Sequence, residues 1–359
     1  MNAAQAVIDL DDGEGLLAAD RDGLLRSASM GGAHVRAAAA ALDEGALESL
    51  RGDLPRTVIW VAGRGTAETA GIMLAATSGG APTPIVVAAE APPWIGALDM
   101  LVVAGDDPGD PALVGAAASA VRRGARVVVA APYDGPLRDA TAGRAAVLEP
   151  RLPVADGFGL CRYLAVGLAV LQSVDPKLQV DLAALADELD AEALRNSASR
   201  EVFTNPAKAL VERMSRRRVV LAGDCAATLM LARHGCAVLL RIAHEVAAAA
   251  GLADALIALS ARAGSGFADP TESLFHDEEI DGPIIERLRV LALTLDAERT
   301  VVASRIAQFD DVDMVGAEDV PDLLDGRRAL PGAQQVEQQL AILAVRLEMA
   351  AVYLRLVRG

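Results

Sequence analysis

Aromatic side chains, histidine and cysteine are all scarce in this chain. Aromatics make up 3% of the 359 residues, and there are four histidines and three cysteines. Three cysteines spread over so long a chain build no disulfide framework, which favours a cytoplasmic location. No His or Cys pair has metal-ligand spacing, so we expect no metal site. Ala, Leu and Val must therefore pack a core to which 53% hydrophobic residues contribute.

Positive charge is also in short supply. The chain has 33 Lys and Arg against 49 Asp and Glu, which gives a net charge of −16. Such a field repels nucleic acid phosphates, so we expect no nucleic-acid partner. The N-terminus lacks the pattern of a signal peptide, and charged residues interrupt the longest apolar stretches, 159–172 and 242–259. We expect a soluble protein that meets no membrane and binds a small molecule.

Short apolar runs alternate with Ala-rich helical stretches, a pattern typical of parallel sheets covered on both faces. The predicted strands are 57–62, 84–88, 98–104, 125–131, 218–222, 255–259 and 288–295, and 300–303 either extends the last strand or forms its own. The fold class is therefore α/β, with two tandem flavodoxin-like parallel-sheet domains. The first domain spans 1–155 with its N-terminal helix, a helical linker spans 156–204, and the second spans 205–359. A long amphipathic helix at 333–357 closes the chain.

A Gly-rich turn follows the first predicted strand and precedes a helix. Gly63, Arg64, Gly65 and Thr66 form this turn, and a helix N-terminus with small residues before it favours an anion. A dinucleotide fingerprint would need Gly where Glu68 stands, although Glu90 lies near the position of a ribose-binding acid. A P-loop lysine is absent. An ordinary turn without a ligand fits the same residues.

Three further residues carry possible chemistry. Glu245 follows His244 on a predicted Ala-rich helix, where a solvent-facing polar pair is the simpler interpretation because the second His of a zinc motif is missing. His276 stands among carboxylates that would raise its pKa, which suits acid–base work as well as an acidic surface loop. Arg162 interrupts an apolar helix, so its guanidinium must be paired or face a cavity.

Several segments resemble the sugar isomerase (SIS) fold and, in particular, an actinobacterial branch of the bifunctional phosphoglucose/phosphomannose isomerase family. Asn205, Pro206, Ala207 and Lys208 match the family's "NPAK" segment, the most specific of the matches. Segment 58–66 looks like its first strand and Gly-rich turn. Segments 92–95 and 350–354 resemble the stretch before its second motif and its C-terminal helix.

The resemblance implies aldose–ketose isomerisation of hexose 6-phosphates through an enediolate, without cofactor or metal. Glu245 would move the proton, Arg162 would stabilise the enediolate and His276 would open the sugar ring. In this fold the His commonly comes from a partner subunit, so a homodimer is expected. The substrate-binding residues would be those of the first Gly-rich turn, Gly63, Arg64, Gly65 and Thr66.

One segment departs from the family pattern. The family binds the substrate phosphate with a Ser- and Thr-rich turn after its second strand, whereas this chain has Asp106, Asp107 and Asp110 there. Two unit charges about 4 Å apart repel by about 4 kcal/mol at an effective dielectric near 20. The alternative is therefore a non-catalytic SIS protein that binds a sugar derivative or a protein partner. Nicotinamide-dependent reduction is a third hypothesis, which rests on Gly63, Gly65 and Glu90.

Overall fold

The N-terminal region is helical, as its Ala-rich sequence predicts. The computed structural model describes residues 8–358 except 53, 64, 154–156, 176, 179, 216, 263–287 and 319–334. Before the first strand come α1 (Gly13–Ala19), α2 (Leu24–Ala28) and α3 (Gly31–Asp43). Helix α3 buries the face that carries Val35, Ala38 and Ala41.

The first sheet has five parallel strands in the order β2-β1-β3-β4-β5. Its strands are β1 (Val58–Ala62), β2 (Ile85–Ala88), β3 (Met100–Ala104), β4 (Arg126–Ala130) and β5 (Ala145–Val147). Helices α4 (Thr66–Thr77), α5 (Pro111–Arg122) and α6 (Gly135–Thr141) belong to the same unit. Alternate side chains of the strands enter two separate cores, one on each face, which explains the continuous apolar runs. Four of these strands confirm the sequence prediction, and β5 was not predicted.

Two helices join the sheets in the predicted linker region. They are α7 (Leu160–Val174) and α8 (Leu182–Arg195). Helix α7 ends directly before the Asp-Pro pair at 175–176. Almost every side chain of α7 is buried, because it packs against α3 on one side and α4 on the other. Helix α7 is therefore part of the hydrophobic core.

The second sheet has four parallel strands in the order β7-β6-β8-β9. They are β6 (Arg218–Gly223), β7 (Ala248–Gly251), β8 (Leu288–Leu293) and β9 (Val312–Val315). Its helices are α9 (Pro206–Met214), α10 (Ala226–Ala243), α11 (Leu252–Arg262) and α12 (Arg299–Ile306). The two parallel sheets confirm the predicted α/β class.

Two predicted strands of the second unit are wrong. Segment 255–259 lies in α11, where Leu252, Ala255, Leu256 and Leu259 meet the core at helical spacing. Segment 300–303 lies in α12. Strand β7 was not predicted because its sequence, Ala-Ala-Ala-Gly, carries little β-propensity. Strand β9 was not predicted because it has only four residues, Val-Asp-Met-Val, one of them charged.

The last helix, α13 (Val336–Arg358), corrects a further prediction. The expected amphipathic helix is instead buried on all sides over residues 339–354, because it lies between helices of both units. Of the described helices, α10 is the one long and apolar enough to cross a bilayer. It packs on α13, α4 and β6, as a core helix does.

Candidate functional site

The first sheet changes direction between β1 and β3, and this defines a crevice. The chain leaves β1 towards β2 on one side and leaves β3 towards β4 on the other. In open α/β sheets ligands bind at this switch point, outside the carboxyl ends of the strands. We call it the β1–β3 crevice, and Gly63 and Gly105 form its floor. Gly63 N donates to Ala104 O at 2.7 Å and Gly105 N to Ala130 O at 3.2 Å.

The side chain of Asp110 lies against the floor of the β1–β3 crevice. A Cβ placed on Gly63 would be 3.3 Å from its Oδ2. The other oxygen, Oδ1, caps helix α5 by accepting from Ala112 N at 2.9 Å. The start of α4 beside Gly63 has no side-chain cap, and its first residue, Thr66, is buried. The chain thus places its own carboxylate where the turn would otherwise receive an anion.

A second carboxylate of the same loop is held by α7. Asp106 Oδ1 accepts from Arg162 Nη2 at 3.0 Å and from Tyr163 Oη at 2.7 Å. The guanidinium carbon of Arg162 lies 4.2 Å from the centre of the Tyr163 ring. Burial raises the pKa of Tyr163, so the phenol stays a donor to Asp106. Arg162 is paired, as its place in an apolar helix requires.

The structure brings part of the predicted site together. Gly63, Gly65 and Thr66 lie at the carboxyl end of β1, and Arg162 reaches the neighbouring loop after β3 through Asp106. Gly65 has a φ of 90°, a conformation that glycine adopts without strain. Arg64 and His276 lie outside the described residues.

Glu245 does not lie on a helix, contrary to the sequence prediction. Helix α10 ends at Ala243 because His244 takes a left-handed conformation with a φ of 54°. Glu245 follows in the connection to β7, and its carboxylate is paired with Arg358. Helix α10 itself contains neither Asp nor Glu. The resemblance places a catalytic Glu on this helix, so that role for Glu245 stays a prediction.

Sequence reasoning missed a pocket between α3 and α7. His34, Ala38, Ala41, Leu148, Arg162 and Val166 are among its lining residues, and we call it the α3–α7 pocket. His34 is 3% exposed, and its ring has no hydrogen-bond partner in the part of the chain that the structure describes. The sequence did carry a signal for this pocket: His34 shares one face of its helix with alanines, which leave space beside the ring.

The "NPAK" segment has a structural role in this fold. Asn205 Oδ1 caps α9 by accepting from Lys208 N at 3.0 Å. Lys208 is fully buried, and its Nζ donates to Ala198 O at 2.8 Å and Arg200 O at 2.7 Å. Burial lowers the pKa of this amine. The segment fixes α9 to the end of the linker.

The comparisons with known proteins agree with this architecture. No protein-family model matches the chain, and no curated protein matches it by sequence. Solved structures do match in fold. Tagatose-6-phosphate ketose/aldose isomerase from Escherichia coli is 15% identical with a TM-score of 0.56, over 99% of this chain and 95% of that one.

Two other solved structures give the same result. The C-terminal domain of glucosamine-fructose-6-phosphate aminotransferase from Francisella tularensis is 12% identical with a TM-score of 0.56, over 93% and 95% of the two chains. A glucose-6-phosphate isomerase-like protein from Thermus thermophilus is 19% identical with a TM-score of 0.51, over 98% and 94%. The chain therefore has the two-sheet α/β fold of the phosphosugar isomerases. The bifunctional family and its actinobacterial branch stay predictions.

Proposed function

We propose that this chain binds a carbohydrate derivative at the carboxyl edge of its first sheet without isomerising it. The observation that carries the proposal is the Asp110 carboxylate against Gly63, in the β1–β3 crevice. A carboxylate there disfavours a phosphate dianion but accepts hydrogen bonds from sugar hydroxyls. The solved proteins that share the fold are named for sugar phosphates, which supports a sugar-like ligand.

The proposal is tested by calorimetric titration of glucose, glucuronate and glucose 6-phosphate. The variant Asp110→Ser keeps a side chain that can cap α5 but removes the negative charge. We expect its affinity for glucose 6-phosphate to exceed that of the wild type by about tenfold or more, since relief of about 1.4 kcal/mol suffices.

Asp181→Ser is the matched control, because Asp181 caps α8 in the same way, at 2.8 Å from Ala184 N, but lies outside the crevice. We expect this variant to bind like the wild type. The proposal is overturned if none of the three sugars binds, or if wild type and Asp110→Ser bind glucose 6-phosphate equally.

Isomerisation of hexose 6-phosphates is the second candidate. The position of Arg162 favours it, because a buried guanidinium beside the crevice loops could stabilise an enediolate. Glu245 would be the base and His276, from a partner subunit of a homodimer, the ring-opening group. Arg358 now holds the Glu245 carboxylate and would have to release it. A coupled assay with Glu245→Gln separates the two candidates.

A further inference from the structure

The α3–α7 pocket has the features of a built binding site. It lies where α3 carries alanines instead of larger side chains, next to the segment that follows β5. Arg151, Arg162 and Glu149 are its charged lining residues, and each arginine is paired, Arg151 with Glu44 and Arg162 with Asp106. Since the chain's net charge of −16 repels anions, an anion bound in this pocket would depend on these two guanidinium groups.

Two polar side chains, both more than nine-tenths buried, line this pocket. Arg162 is 7% exposed and His34 is 3% exposed. Arg162 Nη2 donates to Asp106 at 3.0 Å, and the guanidinium also lies against the Tyr163 ring. His34 engages none of its ring nitrogens within the described residues. The neutral ring has one N–H donor and one nitrogen acceptor, so it can bond to a group that enters the pocket beside Arg162.

The outer wall of the pocket is closed by an ion pair. Arg151 donates to both carboxylate oxygens of Glu44, at 2.8 and 2.5 Å, and so links the segment after β5 to the end of α3. Glu149 accepts from Tyr133 N at 3.0 Å and is thereby held beside the same wall. The pocket has about 20 Å³ of free volume, enough for one or two water-sized groups.

We propose that the α3–α7 pocket binds the carboxylate of a small ligand, with Arg162 and His34 as its donors. The small free volume suits a planar carboxylate better than a phosphate. This inference rests on the proposed function, since Arg162 also reaches the crevice loop. The ligand would then be a sugar acid, whose hydroxyl groups donate to the Asp106 carboxylate and whose carboxylate accepts from Arg162.

Proton uptake on binding follows from the surroundings of His34. Burial and the nearby Arg162 lower the pKa of His34, so the free ring is neutral at physiological pH. A bound carboxylate favours the protonated ring, hence affinity falls as pH rises through the pKa of His34 in the complex. The charged groups that face His34 across the pocket are Arg162 on α7, and Glu149 and Arg151 after β5. On α8, the carboxylates of Asp187 and Asp190 are paired with Arg36.

The test follows the four histidine ring signals of the full chain by NMR, with His34 assigned through His34→Gln. Acetate and D-glucuronate are the carboxylate probes, and glucose and glucose 6-phosphate are the comparison ligands. We expect both carboxylates to raise the pKa of His34 by about 1 unit. Calorimetry should give tighter glucuronate binding at about pH 6 than at about pH 8.

Variants separate the pocket from the rest of the site. We expect His34→Gln and Arg162→Met to weaken glucuronate binding by about tenfold or more, as loss of a hydrogen bond to a charged group does. Arg36→Gln is the matched control on the same helix and should bind like the wild type. Since the NMR titration follows the wild-type protein, it decides the matter even if Arg162→Met fails to fold.

The outcomes are distinct. The inference is overturned if glucuronate leaves the His34 signal unchanged, if glucose moves it as far, or if glucose 6-phosphate binds there more tightly than glucuronate. If acetate moves His34 while no sugar derivative binds, the pocket stands and the proposed function fails. If glucuronate binds without involving His34, the function stands and the pocket assignment fails.

Discussion

Asp106 shows, at the scale of one residue, how a carboxylate can serve a loop and a helix together. Its side chain is 61% exposed, yet it is the acceptor for two largely buried donors, Arg162 and Tyr163. The loop after β3 is thereby fixed to the start of α7. The acidic turn that sets this chain apart from the phosphate-binding pattern therefore also supports the fold around the crevice.

Removal of this acceptor should be costly. We expect Asp106→Ala to lower the free energy of unfolding by about 1–3 kcal/mol, because buried donors lose their partner. Urea unfolding measures the change. Asp139→Ala is the matched control, since Asp139 lies exposed on α6, and its effect should stay within about 0.5 kcal/mol. Equal effects of the two substitutions would contradict the anchoring role of Asp106.

A buried pair in the second unit predicts a pH dependence. His234 Nε2 and Glu348 Oε1 are 2.9 Å apart, and both side chains are 2% exposed. Burial raises the pKa of Glu348, and the hydrogen bond to His234 opposes the shift only in part. The folded state therefore keeps a proton that the unfolded state releases, so the contribution of Glu348 to stability declines as pH rises from the unfolded pKa through the folded one.

The substitution Glu348→Gln removes this titration and retains a hydrogen-bonding group. Relative to the wild type, the variant should become more stable between about pH 5 and about pH 8, as urea unfolding at both values would measure. Glu337→Gln, in the first turn of the same helix, should show no such trend. A difference between Glu348→Gln and wild type that is independent of pH would refute the shifted pKa.

At the scale of elements, the last residue of β6, Gly223, has no room for a side chain next to the start of α10. A Cβ on Gly223 would lie inside contact distance of the backbone of Thr228 and Leu229. Backbone atoms of a helix cannot rotate aside, so we expect Gly223→Ala to lower the free energy of unfolding by about 3 kcal/mol or more.

Gly115→Ala provides the opposite case. Gly115 lies on the exposed face of α5, and a Cβ there meets nothing within 4 Å. We expect a gain of about 0.5–1 kcal/mol, because alanine loses less entropy than glycine in a helix. Thermal or urea unfolding of both variants decides; a neutral Gly223→Ala would show that the turn can relax.

Some strands and helices could be predicted from the sequence and others could not. Strands β1, β3, β4 and β6 were predictable because buried parallel strands are continuous runs of Val, Ile, Leu and Ala. Strand β7 was not, since an alanine run carries no strand signal, and α11 was mistaken for a strand because five apolar residues fit both periods.

The candidate site was predictable only in part. The Gly-rich turn and Arg162 could be found because a turn before a helix and a charge in an apolar helix are local signals. The pairing of Arg162 with Asp106, 56 positions apart, depends on tertiary structure. The same holds for the approach of α3 to α7 that places His34 beside Arg162, and for the left-handed His244 that ends α10 before Glu245.

At the scale of the whole molecule, α13 joins the two sheet units. It packs against α7 and α8 on one side and against α9 and α10 on the other. Its Arg346 is buried and donates to Glu192 on α8 at 2.8 Å and to the carbonyls of Gly316 and Ala317, after β9, at 2.6 and 2.7 Å. One guanidinium thus connects the linker with the end of the second sheet.

This connection predicts cooperative unfolding. Both tryptophans, Trp60 and Trp94, belong to the first sheet unit, so their fluorescence reports on that unit, whereas far-ultraviolet circular dichroism reports on all helices. We expect the two signals to change at the same urea concentration. An earlier fluorescence transition would show that the units unfold separately and that α13 does not couple them.

The most direct test of the central claim is a coupled isomerase assay of the purified chain. Glucose 6-phosphate, mannose 6-phosphate and fructose 6-phosphate are the substrates, and Glu245→Gln is the comparison variant. Because the crevice holds its own carboxylate and Glu245 is paired with Arg358, we expect no turnover above background for either protein. Turnover by the wild type that disappears in Glu245→Gln would contradict it and establish an isomerase.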